Sequence, residues 1–127
     1  MSSLLYVAFG GAIGACLRYV LGLAALRSLG PDYPYGTMAA NVLGGFLMGV
    51  LAGWLAFKVS GGENLKLFLG VGLLGGFTTF SAFSLDAMTM LEKKAYSYFI
   101  GYTVGSVVLS IGALMIGLMI ARKVFGS

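Results

Sequence analysis

Histidine is absent from this sequence of 127 residues, and Cys16 is its single cysteine. A disulfide within the chain is therefore impossible, and the counts exclude a metal site built from His or Cys ligands. Charged residues make up only 9% of the chain, whereas soluble domains contain about 25%. The net charge of +4 is scattered along the chain, so it indicates nothing about nucleic-acid binding. This scarcity of charge instead predicts a protein that resides in a bilayer.

Apolar residues make up 59% of the chain, and glycine occupies 21 positions. This composition is typical of membrane proteins whose helices pack closely through small residues. Four apolar stretches, at about residues 4–26, 37–57, 67–91 and 98–121, are each long enough to cross a bilayer at roughly 20 residues per span. The connectors are short, and the N-terminus lacks the basic region of a cleaved signal peptide. We therefore expect one all-α domain, residues 1–127, in an integral multi-pass protein of the cell membrane.

The centre of the third stretch, Gly75–Ser84, reads GGFTTFSAFS. Each of the two adjacent glycines costs about 1 kcal/mol relative to alanine inside a helix, and hydroxyl groups at membrane depth need partners. Irregular backbone at this depth is tolerated where it is buried in protein or lines a wet cavity. The motif therefore predicts a third helix that is broken near the bilayer midplane and offers backbone carbonyls to an ion.

Hydrogen-bond donors recur on three of the four spans. Asn41 shares a stripe of four-residue spacing with Gly45, Gly49 and Gly53, and its amide offers two N–H donors. Tyr102, Ser106 and Ser110 lie at i, i+4 and i+8, so they stack along one helical face as a polar track. The alternative for Asn41 is a bond between helices, and single serines often bond to their own backbone. Thr79 and Ser81 add hydroxyls within the third span.

These donors indicate an anion rather than a cation. Asp86 is the only acidic residue within a span, so no ring of carboxylates is available for cations. The rings of Phe80 and Phe83 have positively polarised edges that can face an anion. Arg18 either extends to the membrane surface or places a fixed positive charge at a vestibule that concentrates anions. The residues predict a pathway for a small anion, without naming the ion, and no enzyme.

The basic residues are almost evenly divided between the two sides of the membrane. Four spans place both termini on one side, with four basic residues there and three or four on the other, depending on Arg18. A weak bias can still set one orientation, but near balance also allows insertion both ways and an antiparallel dimer. The two sets are Lys58, Lys66, Arg122 and Lys123 on one side, and Arg27, Lys93, Lys94 and Arg18 on the other.

The motifs together resemble those of the Fluc (CrcB-type) fluoride channels. The resemblance covers all four spans and is carried by GGAIGACLRY at Gly10–Tyr19, by Asn41–Gly44, by GGFTTFSAFS, and by Tyr102, Ser106 and Ser110. It implies an antiparallel, dual-topology homodimer whose two pores export fluoride passively from the cytoplasm. It further implies that Asn41, Phe80 and Phe83 are pore ligands and that the three hydroxyl residues of the fourth span form the polar track.

The resemblance also implies a structural Na⁺ at the dimer interface, held by the backbone carbonyls of Gly75 and Thr78. Hard cations take such oxygen ligands where helices unwind, and a two-fold axis would double each ligand. Two positions depart from the family pattern: Ala82 stands where threonine is common, and Asp86 where glutamate is common. The first departure removes one potential pore hydroxyl.

Two other classes of protein are compatible with four short spans. A small dual-topology multidrug exporter needs a carboxylate within the membrane for proton coupling, and the first span contains none. A membrane assembly subunit that transports nothing would use the glycine faces for packing only. That second alternative leaves the polar residues of the second, third and fourth spans unexplained.

The charge balance predicts how orientation controls function. Adding several lysines to one polar face should force a single orientation and abolish fluoride export, because an inverted partner can then no longer form. Export should return when a variant biased the opposite way is co-expressed. Fluoride export by the single-orientation variant alone, measured in cells with verified topology, would show that the antiparallel dimer is wrong.

Overall fold

A computed structural model of the chain describes residues 2–31, 33–57 and 63–126. Within these ranges all regular structure is helical, which confirms the all-α prediction. The third apolar stretch contains several helical segments, whereas each of the other three forms one long helix. The elements are α1 (Ser2–Leu29), α2 (Tyr35–Phe57), α3 (Glu63–Leu65), a π-helix (Lys66–Leu74), α4 (Gly75–Phe77), α5 (Ser81–Glu92) and α6 (Tyr96–Phe125).

Four stretches of the described chain are long and apolar enough to cross a membrane, as the sequence predicts. They are Ser3–Leu29, Tyr35–Ala56, Glu63–Glu92 and Tyr96–Phe125. Each extends beyond its predicted apolar stretch at one or both ends, because a helix can continue past the hydrocarbon core. Most of the predicted connector Lys58–Lys66, including Lys58 itself, lies outside the described residues.

Local signals end the helices and set the direction of their neighbours. After α1, Gly30 adopts φ +88° and its N–H donates to the Leu26 carbonyl at 3.0 Å, a helix C-terminus that favours glycine. After α5, Lys94 takes the same left-handed region with φ 60°, and the Ala95 N–H donates to the Met90 carbonyl at 2.9 Å. This tight turn makes α5 and α6 antiparallel neighbours.

Helix α1 packs directly on the backbone of the π-helix and α4. A Cβ atom at Gly10 would collide with the Phe68 carbonyl, and one at Gly14 with the Leu73 carbonyl. From the opposite side, a Cβ at Gly76 would lie 2.6 Å from the Gly11 carbonyl. The glycines of both segments therefore allow main chain to meet main chain, the close approach that small residues permit in membranes.

Helices α2 and α6 form the second closely packed pair. A Cβ at Gly45 would lie 2.7 Å from the Ser110 carbonyl, and one at Gly49 would collide with the Leu114 carbonyl. Gly117 of α6 approaches the Phe46 carbonyl in the same way. This contact brings the glycine stripe that carries Asn41 against the helix that carries the predicted polar track.

A cluster of buried side chains lies where α5 meets α6. Tyr102 is fully buried and packs with Phe83, Ala87 and Met90, while Tyr33, Met38 and Phe99 cover the edge of this cluster. Much of the outer surface of α6 is apolar and exposed, including Val104, Val108 and Ile111. Such a surface suits lipid or a second protein chain.

The backbone of the third apolar stretch departs from a regular α-helix in two places. Residues Lys66–Leu74 form a π-helix, a rare conformation that is frequently found at functional sites. The sequence-based interpretation did not anticipate it. Farther along, α4 ends at Phe77, Thr78 is extended with φ −86° and ψ 160°, and α5 begins at Ser81.

The packing of α1 predicts that two glycines of the same helix respond differently to substitution. Gly14→Ala should lower the free energy of unfolding by roughly 1–3 kcal/mol, because the added methyl group meets rigid backbone. Gly22→Ala is the control, since no described atom lies within 4 Å of its added Cβ and alanine favours the helix. Reversible denaturation in detergent measures both. Equal stability of the two variants would contradict the packing of α1.

Candidate functional site

An open groove of about 510 Å³ runs between α2, the segment that joins α4 to α5, and α6. It brings together residues from three spans that are distant in sequence. Six of the eight residues predicted for the anion pathway line it, as do Gly75 and Thr78. The six are Asn41, Thr79, Phe80, Phe83, Ser106 and Ser110.

The Asn41 side chain is bound to the backbone of Thr79 on both sides. Its Nδ2 donates to the Thr79 carbonyl at 2.9 Å, and its Oδ1 accepts from the Thr79 N–H at 2.7 Å. The amide thus replaces the two backbone partners that a continuous helix would give Thr79. One of the two N–H groups is consumed in this way, so a single N–H remains for a ligand in the groove.

The hydroxyl groups near the start of α5 bond mainly to one another and to backbone. Thr79 Oγ1 accepts from the Ala82 N–H at 3.1 Å, the kind of contact that caps a helix N-terminus. It also shares a hydrogen bond of 3.3 Å with Ser81 Oγ. Ser81 is exposed and lies beside the groove rather than on its wall. Ala82 therefore takes part in this network through its backbone.

The three residues predicted for the polar track of α6 have different surroundings. Ser110 and Ser106 line the groove, and Ser106 is only 4% exposed. Among the described residues, the Ser106 hydroxyl has no hydrogen-bond partner, and neither does the buried hydroxyl of neighbouring Thr103. A buried polar group without a partner costs about 1–3 kcal/mol. The Ser106 hydroxyl is thus a buried donor at the wall of the groove that no group of the described chain uses.

Phe80 and Phe83 form an aromatic pair at the groove. Their ring centroids are 5.7 Å apart with an interplanar angle of 42°. Phe83 is buried and lies 5.1 Å from the ring of Tyr102. Phe80, in contrast, is 77% exposed. The pair therefore joins the fixed interior of the chain to an edge that a single chain leaves uncovered.

Tyr102 does not line the groove. Its hydroxyl donates to Asp86 Oδ2 at 3.2 Å, a contact that sequence reasoning missed. The two residues are 16 apart, and the turn at Lys93–Ala95 lies halfway between them. The symmetry of this hairpin could have predicted their meeting.

Tyr102 also belongs to a cluster of tyrosines at one end of the helices. The ring of Tyr33 lies 5.5 Å from that of Tyr102, 5.0 Å from Tyr35 and 6.1 Å from Tyr98. Burial, with a smaller contribution from Tyr35, raises the pKa of the Tyr33 phenol above its ordinary value. The phenol therefore stays neutral at physiological pH and does not act as a charged group.

The carbonyls of Gly75 and Thr78 stand apart from their neighbours. The Leu74 carbonyl accepts both the N–H and the hydroxyl of Thr78 at 3.0 Å, and the Thr79 carbonyl accepts Asn41. In the described part of the chain, no hydrogen bond reaches the carbonyl of Gly75 or of Thr78. Both residues line the groove, so their free oxygens suit a hard cation.

Arg18 does not line the groove. Its Nε donates to the Gly76 carbonyl at 3.2 Å, and its side chain is partly buried. The guanidinium therefore meets the end of α4, on the side of the third span that faces α1. The sequence predicted a vestibule charge or an arginine that extends to the membrane surface, and it did not predict this contact.

Comparison with known proteins identifies the family. The model of the family described as CrcB-like protein, Camphor Resistance (CrcB), matches residues 5–118. The chain belongs to the CrcB-like family. A relative from Phenylobacterium zucineum, named fluoride-specific ion channel FluC, is 58% identical over 126 residues, which cover 98% of this chain and 99% of the relative.

Other members of the CrcB-like family show similar agreement. Proteins of the same name from Caulobacter vibrioides and Agrobacterium fabrum are 53% and 43% identical, over 98% of this chain and 99% or more of their own length. The resemblance seen in the sequence motifs is thus confirmed. Together with the four membrane-length helices, family membership makes the chain a multi-pass membrane protein.

The paired hydrogen bonds of Asn41 predict an asymmetric response to substitution. Asn41→Asp keeps an acceptor for the Thr79 N–H but places a second oxygen against the Thr79 carbonyl, so it should lower the free energy of unfolding by about 1–3 kcal/mol. Asn64→Asp, at an exposed position, is the matched control and should change stability little. Reversible denaturation in detergent tests both, and an unaffected Asn41→Asp protein would exclude the paired contact.

Proposed function

We propose that this chain is a fluoride-selective ion channel that exports fluoride passively across the cell membrane and so lowers fluoride toxicity. The observation that carries the proposal is the groove, in which a free N–H of Asn41, the unpartnered hydroxyl of Ser106 and the phenylalanine pair converge. The chain belongs to a family whose close relatives are named fluoride-specific ion channels. Those names describe channels rather than enzymes.

The chemistry of the groove suits a small anion that accepts strong hydrogen bonds. Fluoride loses its water when it enters, and neutral donors such as Ser106, Ser110 and Asn41 replace part of that hydration. The edges of Phe80 and Phe83 add positively polarised C–H groups. Because no fixed positive charge lines the groove among the described residues, the ion is bound weakly enough to leave. Chloride is larger and would not fit the same contacts.

We propose that the working unit is an antiparallel homodimer with dual topology. The groove is open along one side, and Phe80 at its edge is 77% exposed, so one chain alone does not enclose a pathway. A second copy that covers this edge would complete the wall and bury the ring. The near balance of basic residues supports the inverted arrangement of that copy.

The same dimer would bring together the segments between α4 and α5. We propose that this segment lies near the bilayer midplane and that the carbonyls of Gly75 and Thr78, with those of the second copy, hold Na⁺. Their lack of hydrogen bonds fits this role. Bound Na⁺ would supply the positive charge that holds the carbonyl groups of the two copies together.

The two alternative functions lack support. A proton-coupled drug exporter needs an available carboxylate, but α1 contains no acidic residue and Asp86 accepts a hydrogen bond from Tyr102. The alternative of a subunit without transport activity does not explain the free donors of the groove. Neither function appears in the names of the relatives.

Ion efflux from liposomes that contain the purified protein tests the function. With a potassium ionophore present to balance charge, we expect rapid fluoride efflux and chloride efflux no faster than from protein-free liposomes. Without the ionophore, fluoride efflux should stop, because a passive channel moves charge. Comparable efflux of chloride and fluoride, or no fluoride efflux from folded protein, would overturn the proposal.

A further inference from the structure

Arg18 donates its hydrogen bond to a backbone carbonyl rather than to an acidic side chain. The Nε–H donates to the Gly76 carbonyl at 3.2 Å, within a partly buried contact between α1 and α4. Helix α1 contains no Asp or Glu that could pair with it. Gly76 belongs to the last turn before Thr78 becomes extended, where carbonyls have no partner from the helix itself.

The close approach of α1 makes this contact possible. Gly14, one turn before Arg18, faces the Leu73 carbonyl and the Phe77 N–H with no room for a side chain. Gly76 approaches Gly11 in the same manner. The arginine therefore leaves α1 directly beside the end of α4. A positive group at a helix C-terminus is also favoured by the helix dipole.

The hydrogen bonds around this helix end divide the carbonyls into two groups. Leu74, Gly76 and Thr79 each have a donor, from Thr78, Arg18 and Asn41 respectively. Gly75 and Thr78 have none in the described chain. Gly75 and Thr78 both line the groove, and theirs are the carbonyls that we assign to Na⁺.

We infer that Arg18 is a positioning residue for the cation site and not a charge that attracts anions. By holding the Gly76 carbonyl on the α1 side, its Nε fixes the end of α4 and leaves the Gly75 and Thr78 carbonyls directed to other ligands. The inference rests on the cation site of the proposed function, and on the proposed channel only for its transport readout. The contact itself and its effect on stability do not depend on that function.

Two substitutions separate the donor from the charge. In Arg18→Gln, the side-chain nitrogen is bonded to Cδ, as Nε is in arginine. An N–H donor is therefore kept at the same distance along the side chain, while the charge is lost. In Arg18→Lys, the charge is kept but a methylene group occupies the place of Nε. Arg18→Met removes both. If Arg18 positions the helix end, glutamine preserves function and lysine does not. If it serves as a vestibule charge, the order is reversed.

Two measurements on the full-length protein read out the difference. The first is the melting temperature in detergent as NaCl replaces N-methylglucamine chloride. We expect Arg18→Lys and Arg18→Met to raise the Na⁺ concentration for half-maximal stabilisation by up to roughly tenfold, since the loss of a typical intramolecular hydrogen bond has about this effect on an equilibrium constant. Arg18→Gln keeps the donor and should change this concentration little. The second is fluoride efflux from liposomes, which should follow the same order.

Arg27→Gln and Arg27→Lys are the matched controls. Arg27 is exposed in the last turn of α1, and its substitution changes the charge at that end of the helix without touching α4. Both controls should behave as the unsubstituted protein does in both measurements. A loss in either Arg27 variant equal to that in Arg18→Lys would show that the effect is not specific to the contact with Gly76 and would overturn the inference.

The outcomes separate the inference from the proposed function. If the unsubstituted protein moves no fluoride, the channel proposal fails, while the order of the variants in stability still tests Arg18. If Na⁺ stabilises no form of the protein, the cation site fails and the inference fails with it, even where fluoride efflux is intact. If Arg18→Lys retains Na⁺ stabilisation and fluoride efflux while Arg18→Gln loses them, the positioning role of Arg18 is contradicted. Equal behaviour of these two variants, whether both are active or both unfolded, contradicts it as well.

Discussion

A backbone N–H or C=O group inside a membrane needs a hydrogen-bonding partner, and this requirement governs the structure around residues 78–80. Helix α4 ends at Phe77, and α5 begins at Ser81. Side chains from two other helices then supply the hydrogen-bond partners that the backbone of this segment lacks. Asn41 from α2 satisfies both backbone groups of Thr79, and Arg18 from α1 satisfies the Gly76 carbonyl. The irregular segment is therefore stable because the rest of the fold holds it.

Close packing of glycine makes these contacts geometrically possible. An asparagine side chain is short, so Asn41 reaches Thr79 only if α2 approaches the third span closely, and a Cβ at Gly44 would indeed collide with Thr78. The glycines of α1 do the same for Arg18. In a bilayer, hydrophobic burial does not drive helices together, so such contacts depend on van der Waals packing and on polar bonds. The glycine content and the polar network thus depend on each other.

The groups that remain unsatisfied define the chemistry of the groove. Donors without partners, such as the Ser106 hydroxyl and one N–H of Asn41, suit an anion. Carbonyls that accept no hydrogen bond from the described residues, those of Gly75 and Thr78, suit a cation. Both sets border the same open surface, and Phe80 is exposed there. In the antiparallel dimer that we propose, a second copy would cover this surface and complete both sets.

The sequence by itself determined the features that depend on composition and spacing. Apolar length fixed four membrane-spanning stretches, and the spacing of Asn41, Ser106 and Ser110 placed donors on helix faces that the fold brings into one groove. Only the tertiary structure decided which donors are free. One N–H of Asn41 donates to the Thr79 carbonyl, the Tyr102 hydroxyl donates to Asp86, and Arg18 donates to the Gly76 carbonyl. Spacing assigns a side chain to a face, but whether its polar atoms have partners depends on neighbours that are distant in sequence.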